Sequence, residues 1–165
     1  MSAAPPLQGQ GEELGLEDAD VPPERAVDPV GRDGCRAPIP WDPRPEHGWP
    51  APPWLPWPPE PERRNVERLR ADPSSILHLY RRLLALRRAS PALHAGSCRL
   101  LEGPAGVLAY ERTAGSDGRM VLVNFTGERV PFAAQGRVEI ASDGAGEGQP
   151  FAGVVAPGQA VVLRA

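Results

Sequence analysis

The sequence has no lysine at all: its 18 basic residues are all arginine, set against 21 acidic ones for a net charge of −3. That balance excludes the strongly basic surface that nucleic-acid binding needs, and we read the arginine bias as a coding preference, not as phosphate recognition. Cysteine is almost missing. Cys35 and Cys98 are the only two, too few for a disulfide framework and at a spacing that does not suggest a zinc site. Long apolar runs are missing too. None approaches the ~18 residues that a membrane span needs, and the start of the chain shows no charged-then-apolar secretory pattern. His47, His78 and His94 are too scattered for a metal site or a catalytic triad. The expectation is therefore a soluble cytoplasmic protein with reduced thiols, no cofactor, no metal, no membrane association and no nucleic-acid partner.

Proline is what the sequence has in excess. It accounts for 22 of the 165 residues, against an average share of about 5%, and most of it lies before residue 62. The length suits one domain, or a small domain with an irregular arm.

Three segments follow from the pattern. Residues 1–72 read as an arm without periodic structure, because prolines break helices and pairs such as Pro52-Pro53 and Pro58-Pro59 favour extended backbone. Disorder is nevertheless not the expectation. All 4 tryptophans, Trp41, Trp49, Trp54 and Trp57, fall in this arm, and large rings seek burial. The arm should lie on something else and bury its rings there. Residues 73–95 read as a helical segment. Asp72 is placed as N-cap and Pro73 as first helical residue, with an apolar stripe through Ile76, Leu79, Tyr80, Leu83 and Leu86 and a stop at Ser90-Pro91. Residues 96–165 change to a period of two. Val107–Arg112 and Met120–Phe125 are expected strands around a turn at Ala114–Gly118, with shorter ones at Arg129–Phe132, Arg137–Ile140 and Ala160–Leu163. Together these give an α+β protein whose third segment is a small antiparallel β-sandwich.

Spaced motifs carry a family resemblance. Gly11-Glu12-Glu13-Leu14-Gly15 is followed by Asp18, and then by Gly31-Arg32-Asp33-Gly34-Cys35-Arg36-Ala37-Pro38-Ile39-Pro40-Trp41-Asp42. Farther on stand His47-Gly48-Trp49, Trp54-Leu55-Pro56, Asn65-Val66-Glu67, Asp72–Ile76 and Tyr80–Leu83. In this order they resemble the C-terminal portion of α-glucosidases of glycoside hydrolase family 13, over about residues 11–165. The resemblance implies that the arm is a substrate-side loop at the end of a TIM barrel, that the helix is the last barrel helix, and that a C-terminal β domain follows. It implies that Arg32 contacts the glucose in the −1 subsite, a task for which a planar guanidinium is suited because it can hold sugar hydroxyls and a neighbouring carboxylate together. Asp33, Arg36 and Trp41 brace the loop on this reading. Trp41 and Trp49 serve either in packing or as sugar-stacking platforms.

The family places its nucleophile and its acid/base carboxylate after earlier barrel strands, so no catalytic residue is assigned here. Glu12 and Glu13 are not assigned either. Where the family shows an apolar strand before Gly11, this chain has Met1–Gln10 without one, and that points to a truncated or misread frame. The expected function is the C-terminal part of a retaining α-glucosidase acting on short α-glucosides, inactive alone. Its partner would be an α-glucoside oligosaccharide within the whole enzyme, and the exposed Trp-rich arm would favour self-association. Two alternatives stand beside it: a stand-alone carbohydrate-binding or interaction module, and an α-glucosyl isomerase similar to trehalose synthases.

Overall fold

The structure, a computed structural model, describes residues 11–164; the first ten residues of the expected arm lie outside them. Helices combine with an antiparallel sheet, in two compact units that meet in sequence between Tyr80 and Arg81.

The first unit has little regular structure, as its prolines dictate. Single 3₁₀ turns form at Glu12–Leu14, Pro23–Arg25 and Gly34–Arg36. The arm is not wholly aperiodic, however. Helix α1 runs over Val66–Ala71, with the Asn65 side chain accepting from Arg68 N as its N-cap. Asn65 is completely buried, and its Nδ2 donates to Pro61 O (3.0 Å) and Glu62 O (2.9 Å). One amide side chain therefore ties the preceding turn to the helix start.

Helix α2 spans Ile76–Ala89 and begins three residues later than the sequence suggested. The reason is the fate of Asp72. Its Oδ1 accepts from Ser74 N (2.9 Å) and Ser74 Oγ (2.7 Å), closing a local turn in place of the helix. The helical segment is also divided: Ser90 ends α2, and α3 follows over Pro91–Ala95. Ser90 Oγ accepts from Leu93 N as N-cap while donating to Asp117 Oδ2 at 2.5 Å.

Seven strands follow: β1 Ser97–Leu101, β2 Val107–Ala114, β3 Asp117–Asn124, β4 Val130–Pro131, β5 Arg137–Ala141, β6 Val154–Val155 and β7 Ala160–Arg164. Five form one antiparallel sheet in the order β1-β2-β3-β7-β5, and β4 pairs with β6 in a separate two-stranded ribbon. The β2–β3 turn is tighter than expected, with only Gly115-Ser116 between the paired Ala114 and Asp117. Gly115 supplies the positive φ of 59° that such a turn needs at its first central residue.

One sheet face carries the core. Ala109, Leu122, Val138, Val161 and Leu163 are buried there against Phe132 and Val155, which flank or belong to the ribbon. On the other face Arg119 is 6% exposed and bonds Asp117 and Glu139, each at 2.5 Å. Glu139 is the extra residue of a bulge in β5, which lets its carboxylate meet the arginine row of β3 and β7. Phe125, expected to end β3, lies outside it and is exposed.

Candidate functional site

The two principal sequence motifs are neighbours in space. Ala19 N donates to Gly34 O at 3.1 Å, which seats the residues after Gly11–Gly15 against the Gly31–Asp42 loop. Arg64 then clamps the first motif by donating to Gly15 O (2.9 Å) and to Glu17 Oε1 (2.6 Å). Between the motifs lies an open cleft of about 420 Å³, with Glu12, Glu17, Asp18, Cys35 and Arg36 in its lining. Arg32 does not line that cleft.

Arg32 stands on the outer side of its loop, where Asp28 holds it. Its Nε donates to Asp28 Oδ2 at 2.6 Å and its Nη2 to Oδ1 at 3.3 Å. Arg36 Nη1 adds a second guanidinium at 3.2 Å from Oδ2. The Asp28 carboxylate is nearly enclosed, whereas the Arg32 side chain is 57% exposed. The hydrogen bond from Arg32 is the main cause that lowers the Asp28 pKa from 3.8 to about 2, with the Val30 N–H helping. Asp28 therefore stays ionised across the physiological range and returns the favour by raising the pKa of Arg32. A guanidinium has five N–H donors. Asp28 engages the Nε and Nη2 edge of an otherwise exposed side chain.

Asp33 is buried beneath this pair, and its Oδ2 accepts from Val27 N (2.7 Å) and Asp28 N (2.8 Å). The two carboxylates beside Arg32 are thus both engaged within the loop. Arg36 shares Asp28 with Arg32. Trp41 is 49% exposed and joins its surroundings through the backbone, donating from N to His47 O (2.9 Å) and accepting at O from Glu67 N (3.0 Å). The structure brings Arg32, Asp33 and Arg36 together around Asp28 and sets Trp41 apart in the next turn. Asp28 is the member that sequence reading missed. Its only signal was a spacing of four from Arg32 and eight from Arg36, which carries no meaning in a segment without a helix.

The tryptophans are not collectively buried. Trp54 is 63% exposed and Trp49 37%, although Trp57 is largely covered. Among the described residues no group of histidine, cysteine and carboxylate side chains could hold a metal ion, and no helix is long and apolar enough to cross a membrane.

Three comparisons complete the description. The family model for the catalytic domain of alpha amylase matches residues 4–96. The chain is 39% identical over 129 residues to a probable alpha-glucosidase of Rhizobium meliloti, covering 72% of this chain and 23% of that protein. It is 31% identical over 121 residues to an oligo-1,6-glucosidase of Parageobacillus thermoglucosidasius, 70% of this chain and 21% of the relative. Among solved structures it superposes on the trehalulose synthase MutB of Pseudomonas mesoacidophila MX-45 with a TM-score of 0.82 and 26% identity, covering 94% of this chain and 34% of that one. The alpha-glucosyl transfer enzyme XgtA superposes with a TM-score of 0.75 at 29% identity, over 94% of this chain and 32% of its own length. The chain thus spans about a quarter of the length of the curated relatives it matches.

Proposed function

Because the chain belongs to the alpha-amylase family, glycoside hydrolase family 13, we propose that it is the C-terminal part of a retaining α-glucosidase acting on short α-glucosides. On this reading residues 11–72 form the last substrate-side loop of a TIM barrel, α2 is the last barrel helix, and the strands form its C-terminal β-sandwich domain. The observation that carries the proposal is the Asp28–Arg32 pair, an exposed guanidinium whose one edge is fixed by an enclosed carboxylate. Such a group can hold the hydroxyls of a terminal glucose without reorganising. Relatives named as glucosidases support the substrate class. Unsatisfied apolar surface supports the fragment: Ile76 and Leu83 on α2 and Trp54 on the arm are exposed where a barrel would cover them.

Hydrolysis with retention needs two carboxylates about 5–5.5 Å apart across the scissile bond. Asp28 and Asp33 serve their own loop instead, so the chain contributes binding, and the acid and nucleophile belong to the rest of the enzyme. A cytoplasmic location belongs to the same proposal. An isomerase or transferase of the same family is the second reading, favoured by the likeness to MutB and XgtA. The two differ only in whether water or a sugar hydroxyl accepts the glucosyl group.

A transplant tests the proposal. The matching quarter of the Rhizobium meliloti relative is replaced by this chain, and the chimera is assayed on maltose, isomaltose and sucrose alongside the chain alone. The chimera is expected to cleave an α-glucoside while the chain alone does not. A chimera that folds and is inert on all three would overturn the reading. Glucose release without transfer products selects the hydrolase, and isomerised disaccharide selects the alternative.

A further inference from the structure

A second cluster in the arm has binding chemistry of its own. Trp49 is held in place as well as exposed. Its indole Nε1 donates to Ile39 O at 2.8 Å, and its ring meets Trp57 edge-on with centroids 6.2 Å apart and planes at 76°. Trp57 in turn meets the buried His47 edge-on at 4.6 Å. Backbone bonds from His47 N to Arg44 O and from Trp49 N to Glu46 O, both 2.9 Å, close the loop beneath it. The one polar atom of the indole is thus satisfied, its flank is packed, and 37% of the residue still faces out. A ring fixed in this way can receive a ligand without losing further side-chain freedom.

An open pocket of about 260 Å³ lies against it, lined by Arg44, Glu46, Gly48, Trp49 and Pro50. Its polar groups are of two kinds. Arg44 is anchored by Nε and Nη2 on Asp42 Oδ2, at 3.1 and 2.5 Å, which leaves its Nη1 edge as an oriented donor. Glu46 is an exposed acceptor. Gly48 completes the lining beside Trp49. Its φ is +80°, and a Cβ there would stand 2.9 Å from Trp41 Cβ, so the turn that carries Trp49 requires glycine at this position.

We propose that this pocket is a sugar-binding site for α-glucosyl oligosaccharides, separate from the Arg32 loop, none of whose residues line it. A pyranose presents an apolar face of C–H groups and a rim of hydroxyls that both donate and accept. The Trp49 ring takes the apolar face, Arg44 donates to the rim and Glu46 accepts from it, the pairing of a broad apolar wall with a few placed polar groups that small-ligand sites show. With one aromatic wall and an open mouth the binding is weak, in the millimolar range. The pocket's lining fits a pyranose in general, and the choice of α-glucosyl sugars rests on the proposed function.

The test uses the full chain, labelled with nitrogen-15 and titrated with maltose and with isomaltose while the indole N–H signals are followed. The Trp49 signal is expected to shift saturably with at least one of the two sugars. Trp49→Ala abolishes the saturable shifts at the other indoles, Glu46→Gln weakens binding at least about fivefold, and Trp49→Phe retains it. Arg63→Ala, at an exposed residue outside the pocket lining, leaves the affinity unchanged. Absence of saturation with both sugars overturns the proposal. So do shifts that survive both Trp49→Ala and Glu46→Gln, or shifts that Arg32→Ala alone removes, which would place the sugar at the other loop. Glu46 is exposed, so its variant keeps the test decisive even where removal of the indole disturbs the arm.

Discussion

Asp28 holds Arg32 by two contacts, 2.6 Å from Nε and 3.3 Å from Nη2, while its carboxylate is almost closed off from water. The pair makes the Arg32 loop depend on the charge of one carboxylate, and it sets a direction for pH. A carboxyl whose pKa falls from 3.8 to about 2 on folding adds stability that is fully present above 3.8 and is lost as the pH drops toward 2. Asp28→Asn removes that contribution. The variant should melt a few degrees below the parent at pH 7, and the two curves should converge as the pH approaches 2. Thermal melts by circular dichroism from pH 7 to pH 2 measure both. A constant difference across the range would show that the pair's charge does not matter.

Asn65 is a fully buried anchor of the arm. Its Oδ1 caps α1 and its Nδ2 reaches two carbonyls of the preceding turn. Asn65→Ala leaves those groups without partners in a fully buried position. The expected cost is about 2–3 kcal/mol, read by urea titration of tryptophan fluorescence, since every tryptophan lies in the arm.

In the β unit the corresponding residue is Asn124. Its Nδ2 donates to Glu128 O (2.7 Å), Ala156 O (2.9 Å) and Val155 O (3.2 Å), while its Oδ1 accepts from Thr126 N and Oγ1. Asn124→Ala should cost about 2–4 kcal/mol. Asn124→Asp should be worse at pH 7, because it sets a carboxylate against three carbonyl oxygens, and should partly recover when acid protonates it. Urea unfolding at pH 7 and pH 4 separates the two effects.

How much of this was readable beforehand depended on where the signal lay. β2 and β3 were legible because the apolar runs Val107–Tyr110 and Met120–Val123 flank a glycine-containing turn. β1 was not. It is an edge strand whose Ser97, Cys98, Arg99 and Leu100 are all exposed, so backbone pairing with β2 defines it and no apolar pattern announces it. β6 is two residues long and gains its meaning only from β4 across the chain. Asp72 looked like a helix cap because aspartate satisfies a turn and a helix start by the same side-chain chemistry. Composition also hid α1, since its six residues sit in a proline-rich context. At the site, Arg32, Asp33 and Arg36 came from motif resemblance. The acid that organises them did not, because pairing in an irregular loop has no period to read.

Exposed rings give a further expectation. Trp41 and Trp54 are 49% and 63% exposed, and apolar surface of that kind favours association. We propose that the isolated chain self-associates through the arm. Sedimentation velocity should show an average mass that rises with concentration, and Trp54→Ser should lower it. A strictly monomeric chain across a hundredfold range of concentration would count against a covered arm in the parent enzyme.

We propose that Arg32 meets the substrate, and the kinetics of the transplanted chain read that contact. In the chimera with the Rhizobium meliloti relative, Arg32→Ala should lower kcat/KM on the preferred α-glucoside about a hundredfold, the size expected for losing an oriented charged donor at a reacting sugar. Arg63→Ala serves as control, because the Arg63 side chain is 76% exposed and pairs with the half-exposed Glu60; it should change nothing. An Arg32→Ala chimera that is folded and keeps the full kcat/KM would contradict the claim and leave Arg32 as a structural partner of Asp28.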